Sequence, residues 1–302
     1  MSEVTLPPAS VLTERLQDSK VVLVTGAASG IGFAAAQLFA QHGAKVILVD
    51  LASGRLKAAA EDIGHGCDFR ACDVANWEQQ VALFDWVKQT YGPPEIVCLN
   101  AGIDPELATS QTPSAKEKVV SNYLASELEP REDASEGGSQ LKQPPTVVFD
   151  VNFYGVLYGI KLAVHHFPEG KGGRIVITGS AASQMGVVNQ DVYVASKHAL
   201  IGLMRSSAQR QELKDKNITV SMVAPWLTHT GLTANLPPEI LHAFSTESSQ
   251  PVDVAMGIAY LATAEKAEDV HGRCLWIRGK RCIEVEGAYE KWLGNLIAST
   301  ST

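Results

Sequence analysis

The stretch Lys20–Gly32, KVVLVTGAASGIG, decides the reading of this chain. Its first half is a short, unbroken apolar run rich in β-branched residues, which suits a strand buried on both faces of a parallel sheet. Its second half is a glycine-rich turn, and a helix-like segment from Ile31 to His42 follows, ending at Gly43. Glycine lets a backbone turn sharply and come close to a pyrophosphate, and the free N–H groups and dipole of a helix N-terminus favour an anion. Strand before and helix after is the context a dinucleotide-binding turn requires.

The same alternation continues outward. Strand-like segments lie at Lys45–Val49 and near 67–71, 95–99, 173–178, 218–223 and 273–277. Helix-like segments lie near 55–63, 76–91, 147–166, 191–213 and 252–264. Seven strands alternating with helices predict an α/β fold with a doubly wound, seven-stranded parallel sheet and helices on both faces. Residues 1–19 read as a polar, Pro-containing arm, and 20–302 as a single catalytic domain. Two stretches break the rhythm. Residues 104–145 are long and polar (EPREDASEGGSQLKQPP within them) and read as a surface insertion, mobile over 129–145. Residues 226–250 mix aromatic, apolar and polar residues, which suits a substrate lid.

Composition narrows the function classes. Apolar residues make up 45 % and charged ones 19 % of the 302 residues, which suits a globular protein with a large core. The net charge of −8, with no Lys/Arg cluster, argues against nucleic acid or an anionic membrane surface as partner. The five scattered cysteines form no CxxC pair and read as reduced, buried thiols. The N-terminus has no basic start followed by an apolar region, and no run approaches the roughly 18 apolar residues that span a bilayer, so the expected compartment is the cytoplasm. The histidines have no carboxylate or cysteine spacing around them, so no metal site is expected.

The chemistry centres on Tyr193-Val194-Ala195-Ser196-Lys197. Tyr and Lys at i and i+4 share one helical face. A phenol with a pKa of about 10 is a poor acid/base near neutrality, and a nearby ammonium lowers it. Ser180 lies thirteen residues before Tyr193, after an apolar strand. Asn152 sits inside a helix-like segment, where asparagine is unfavourable unless its side chain has work to do. Asp50 ends the second strand, eighteen residues past Gly32, where a carboxylate accepts hydrogen bonds from ribose hydroxyls and repels a 2′-phosphate.

These motifs resemble the short-chain dehydrogenase/reductase family over about residues 20–278. The turn reads TGxxxGxG, not GxGxxG, and the YxxxK, the serine thirteen residues earlier and the helix asparagine fall in the family's register. The resemblance implies a Rossmann-type fold and a nicotinamide cofactor, with NAD favoured over NADP by Asp50 and by Ala28 where NADP-preferring relatives often carry Arg or Lys. It implies that Gly26, Ser29, Gly30, Ile31 and Gly32 bind the pyrophosphate, that Asp73 and Val74 contact adenine, and that Asn100, Ala101 and Gly102 shape the cofactor pocket. It further implies Tyr193 as acid/base, Lys197 as its partner and ribose ligand, Ser180 as holder of the substrate oxygen, and Asn152 as the residue that binds a water and extends the proton relay. Ala224-Pro225-Trp226-Leu227-Thr228-His229-Thr230 is similar to the family's PGxxxT segment; Pro225 and Thr230 match, but Trp226 stands where glycine is usual. If the family glycine has positive φ, a Trp there is strained, so a different local backbone is expected. The indole is also expected to wall the substrate pocket.

The reaction implied is the interconversion of a secondary alcohol and a ketone on a small, largely apolar metabolite. A redox-neutral isomerase or cyclase on the same site, and a catalytically silent NAD-binding regulator, are the alternatives. The long insertion, the lack of the common terminal DGG after Gly272–Lys280, and a tail through Trp292 and Leu296 resemble fungal members that tailor secondary metabolites. Family assembly implies a homotetramer or homodimer.

Overall fold

A computed structural model describes residues 1–16, 20–64, 66–109, 128–130, 139–141, 143–234, 236, 239, 242 and 247–300. The strands are β1 (Ser2–Glu3), β2 (Val21–Thr25), β3 (Lys45–Asp50), β4 (Cys67–Ala71), β5 (Ile96–Leu99), β6 (Leu128–Pro130), β7 (Ser139–Leu141), β8 (Gly173–Thr178), β9 (Ile218–Pro225), β10 (Cys274–Arg278) and β11 (Arg281–Glu284). The helices are α1 (Ala9–Leu16), α2 (Gly30–Gln41), α3 (Ser53–Ile63), α4 (Trp77–Tyr91), α5 (Pro105–Thr109), α6 (Val147–His166), α7 (Asp191–Ala208), α8 (Gln211–Asp215), α9 (Pro251–Thr263), α10 (Ala267–Val270) and α11 (Glu286–Thr300). The main sheet has the order β1-β11-β10-β9-β8-β5-β2-β3-β4, and β6 pairs with β7 apart from it.

Seven neighbouring strands, β10 through β4, are parallel, and all seven fall on the runs the sequence marks. The sheet has nine strands, not seven. β11 returns antiparallel along β10, and β1 pairs antiparallel with β11. Both additions are short and polar in part, so neither carries the apolar run that betrays a buried strand.

The pleat explains the two cores. Val22 and Val24 point into one cluster, which takes residues from α1, α2, α3 and α9; Val21 and Leu23 point into the other, with α4, α6 and α7. The N-terminal arm therefore belongs to the fold, contrary to the reading of a polar arm. Leu12 and Leu16, one turn apart on α1, are fully buried, and Arg15 Nη1 donates to the Thr263 carbonyl at 2.8 Å. All five cysteines are unpaired; Cys67 is half-buried and the others are buried.

Among the described residues α6 alone is long and apolar enough, by length and composition, to cross a membrane. It is 20 residues long, a stretch that a search for unbroken apolar runs passes over because Asp150, Asn152, Lys161 and His165 interrupt it. Its Val156, Ile160, Leu162 and Ala163 pack into the second core. Residues 110–127, 131–138 and 142, and with them most of the expected insertion and its mobility, lie outside the described residues. So do 235, 237–238, 240–241 and 243–246 at the middle of the expected lid.

The strand order reverses between β2 and β5, with β3 and β4 on one side and β8, β9 and β10 on the other. Ligands of open α/β sheets bind outside the carboxyl ends of the strands at such a point.

Candidate active site

A cavity of about 900 Å³ opens there. At one end lies the glycine turn. Gly26 has φ +68°, in the left-handed region, and a Cβ on it would stand 2.9 Å from both Ala101 Cα and Asn100 Nδ2. At Gly32 the constraint is space alone: a Cβ would lie 2.2 Å from the Gly26 carbonyl oxygen. The turn is thus folded against Asn100, whose Nδ2 donates to the Thr25 and Gly26 carbonyls at 3.1 and 3.4 Å. Thr25 Oγ1 in return accepts the Asn100 and Ala101 N–H groups at 2.9 and 3.1 Å.

Asp50 holds the same turn from β3. Its Oδ2 accepts from Ala28 N at 3.2 Å and its Oδ1 from Leu51 N at 2.8 Å; the N-cap of α3 is Ala52, so Asp50 is no helix cap. Gly26, Ser29, Gly30, Ile31, Asp50, Asn100, Ala101 and Gly102 all line the cavity. Gly32 packs behind them. Asp73 and Val74 are not on the wall: Asp73 Oδ1 accepts from Ala75 N at 2.9 Å, and Val74 is buried against Gly155.

Ser180, Tyr193 and Lys197 line the same cavity. Ser180 caps the short 3-10 turn Ala181–Ser183, its Oγ accepting from Ala182 N at 3.1 Å, and its hydroxyl donates to the Tyr193 phenol. Lys197 Nζ donates to the Thr178 carbonyl at 3.1 Å and lies 5.6 Å from the centre of the Tyr193 ring. Burial dominates the electrostatics. It pushes Tyr193 up to about 12 against the pull of the Ser180 bond, and Lys197 down to about 8 against the attraction of Asp104. The expected lowering of Tyr193 is thus not found: burial, and not the ammonium of Lys197, dominates the phenol.

Asn152 is fully buried in a π-helical turn, Asp150–Tyr154, inside α6. Such wide turns recur at functional sites. Its Oδ1 accepts from Ile103 N at 2.8 Å, and its Nδ2 donates to the Ile103 carbonyl at 2.9 Å and to Ser196 Oγ at 3.1 Å. The side chain is therefore a clamp between the end of β5, α6 and α7, with its amide committed to protein partners.

Pro225, Trp226 and Thr230 also line the cavity. Thr230 faces the glycine turn, 3.3 Å from where a Gly30 Cβ would be. Trp226 carries no left-handed strain: among the described residues, the non-glycine positive φ values are those of Asn189 and Asn217. The Trp226 N–H donates to the Ile277 carbonyl at 2.8 Å and its ring stacks on Trp276, centroids 5.7 Å apart. The segment after it is anchored by a bridge between Thr228 and Ser249, and Leu232 and Leu236 reach the cavity.

Two buried carboxylates were missed in the sequence. Asp104 caps α5, its Oδ1 accepting from Leu107 N at 3.1 Å. Glu106 accepts from Val192 N at 3.3 Å and from Tyr193 N at 2.8 Å, so it caps α7, whose own N-cap residue Gln190 makes no side-chain capping bond. Asp104-Pro105-Glu106 is a helix-start signature in its own right, an N-cap followed by Pro at N1.

The family model for short chain dehydrogenases matches residues 20–129 and 138–240. A short-chain dehydrogenase/reductase of Acremonium egyptiacum is 30 % identical over 271 residues, covering 88 % of this chain and 81 % of that protein. The mitochondrial borneol dehydrogenase of Lavandula x intermedia is 32 % identical, covering 92 % and 96 %, and a (+)-cis,cis-nepetalactol synthase of Nepeta racemosa is 32 % identical, covering 75 % and 74 %. Among solved structures, the 3-ketoacyl-(acyl-carrier-protein) reductase from Brucella melitensis complexed with NADH superposes with a TM-score of 0.70 at 25 % identity, covering 87 % of this chain and 98 % of that one. The glycine turn, Ser180, Tyr193 and Lys197 all fall within the residues the family model matches, and the chain belongs to the short-chain dehydrogenase/reductase family.

Proposed function

We propose that this chain is an NAD-dependent dehydrogenase that interconverts a secondary alcohol and a ketone on a small, largely apolar metabolite. One observation carries the reading: the glycine turn and the Ser180–Tyr193–Lys197 cluster line one cavity. The residues fit a dinucleotide. A Cβ at Gly26 or Gly32 would push the turn off Asn100 and the Gly26 carbonyl, and among the described residues the buried Thr178 hydroxyl, which lines the same cavity, has no hydrogen-bond partner. Gly26, Ser29, Gly30 and Ile31 would hold the pyrophosphate at the α2 N-terminus, with Thr230 beside them. Asp50 would take the adenosine ribose, and Lys197 the other ribose. When bound, the cofactor supplies a hydride acceptor or donor.

The protein's own part is proton handling and placement. In reduction, the Tyr193 phenol donates its proton to the carbonyl oxygen while the Ser180 hydroxyl donates a hydrogen bond to the same atom. In oxidation, the phenolate takes the alcohol proton, and Lys197 supplies the positive charge that favours it. Met185, Val187, Val188, Leu232 and Trp226 make the wall apolar, which supports an apolar substrate body.

Tyr193→Phe tests this. The variant should fold and bind NADH, and turnover should drop by about 10²- to 10⁴-fold. Near wild-type turnover would sink the assignment of Tyr193, and a wild type that binds NADH without turning over any substrate would favour the silent-regulator reading. The nepetalactol synthases among the relatives support a second reading, a redox-neutral cyclisation. Formation of NADH in step with product distinguishes the two.

A further inference from the structure

Asp104 remains without a role in that scheme. It is 5 % exposed, yet it lies on the cavity wall with Tyr193, Lys197 and Ser180. Its place is fixed from behind, because Asn152 clamps the preceding residue, Ile103, through both backbone groups. Its hydrogen bonds go to backbone N–H groups of the turn it starts, Leu107 at 3.1 Å and Glu106. Among the described residues it forms no ion pair. The charged and titratable groups that act on it are Glu106 on its own turn and Lys197 on α7, and it acts in turn on Tyr193. Glu106 already gives its oxygens to the Val192 and Tyr193 N–H groups. A buried carboxylate held only by its own turn is costly unless a further donor reaches it. Leu107, Met185, Val187 and Val188, which line the same cavity, carry no side-chain donor to take that place.

We propose, resting on the dehydrogenase reading above, that Asp104 is a specificity-determining residue whose carboxylate receives a second hydroxyl of the substrate near the reacting carbon, so that the enzyme acts on diols and hydroxyketones. Ser180 and Tyr193 hold the oxygen that reacts, and Asp104 holds the one that does not. The burial that raises Asp104 to about 6 leaves it ionised at neutral pH and neutral below that value, so the preference for the second hydroxyl weakens in acid.

The test uses the full-length protein loaded with NADH, and reads binding of cyclohexanone and 2-hydroxycyclohexanone by quenching of NADH fluorescence. Wild type should bind the hydroxyketone about ten- to a hundredfold more tightly, the range for a hydrogen bond to a charged group. Asp104→Asn should bind the two about equally. Asparagine caps a helix as well as aspartate, so the turn at Pro105 survives and only the charge is lost. A wild type that binds the two alike, or neither, overturns the proposal, as does an Asn variant with the preference intact. In wild type alone the preference should shrink from pH 7.5 to pH 5, and an undiminished preference at pH 5 also overturns it. Failure of the dehydrogenase reading is separate: it shows as absent turnover of any ketone while NADH still binds.

Discussion

The Glu106 carboxylate accepts the backbone N–H of Tyr193 at 2.8 Å across 87 residues of chain. An anion at a helix N-terminus is favoured by the free N–H groups and the dipole, and here that helix carries the acid/base. Glu106→Ala should cost about 1–2 kcal/mol of stability, the usual worth of a cap. It should also lower kcat about tenfold or more, since a small misplacement of a reacting group is expensive. Glu106→Gln, which keeps an amide oxygen, should recover most of kcat. Equal kcat in wild type and Glu106→Ala would show that the cap has no part in placing Tyr193.

Burial of Lys197 has a signature in stability. Its pKa falls from 10.5 to about 8, so between these values the unfolded chain holds a proton that the folded chain has lost, and stability rises with pH across that window. The cost of burying the charge is fully present below about pH 8. Lys197→Met should therefore be more stable than wild type at pH 7, on the order of 1–3 kcal/mol, with the gain shrinking by pH 10. Tyr193, raised from 10 to about 12, acts in the opposite sense between those values. Denaturant melts of both proteins at pH 7 and pH 10 check this, and a Lys197→Met protein less stable than wild type at pH 7 contradicts it. The same variant should bind NADH more weakly, having lost the ribose ligand.

Cofactor choice should turn on Asp50. Wild type should bind NADH far better than NADPH, and Asp50→Ala should narrow the ratio about tenfold or more by removing charge repulsion. Arg55, on the same end of the cavity, is then left as the charge that attracts a 2′-phosphate. Fluorescence titration with both cofactors measures the ratio. Equal affinities in wild type would discard the preference.

The first helix should matter to the whole fold. Leu12→Ala empties a fully buried site and should cost about 2–5 kcal/mol, read as a lower urea midpoint with an unchanged slope. A shift within the scatter typical of surface substitutions would mean that α1 does not stay docked in solution.

The parallel strands were legible because each is a short apolar run between turn signals, and the glycine turn and YxxxK because their chemistry depends on local spacing. What joins distant segments was not. No local pattern announces that Glu106 caps α7 or that Asn152 spends its amide on Ile103, since both depend on how β5, α6 and α7 come together. α1 was hidden for a different reason: Leu12 and Leu16 are two apolar residues in a segment that also carries Thr13, Glu14 and Arg15. Trp226 read as strained only by analogy with a glycine; its own backbone follows from the bond to Ile277.

The seam between β1 and β11 orders events during synthesis. Ser2 and Glu3 are made long before β11, yet they pair with Glu284 and Ile283, and Glu3 accepts from Arg281 Nε and Nη2 at 3.1 and 3.2 Å. Leu12 and Leu16 wait likewise for α9, which begins at Pro251. Residues of β1 and α1 are therefore placed late, and the nascent protein carries them exposed until α9 and β11 have emerged. Contacts this distant in sequence are slow to form, so closure of this sheet edge is the step at which a folding helper, or a competing strand from another molecule, has the most time to act.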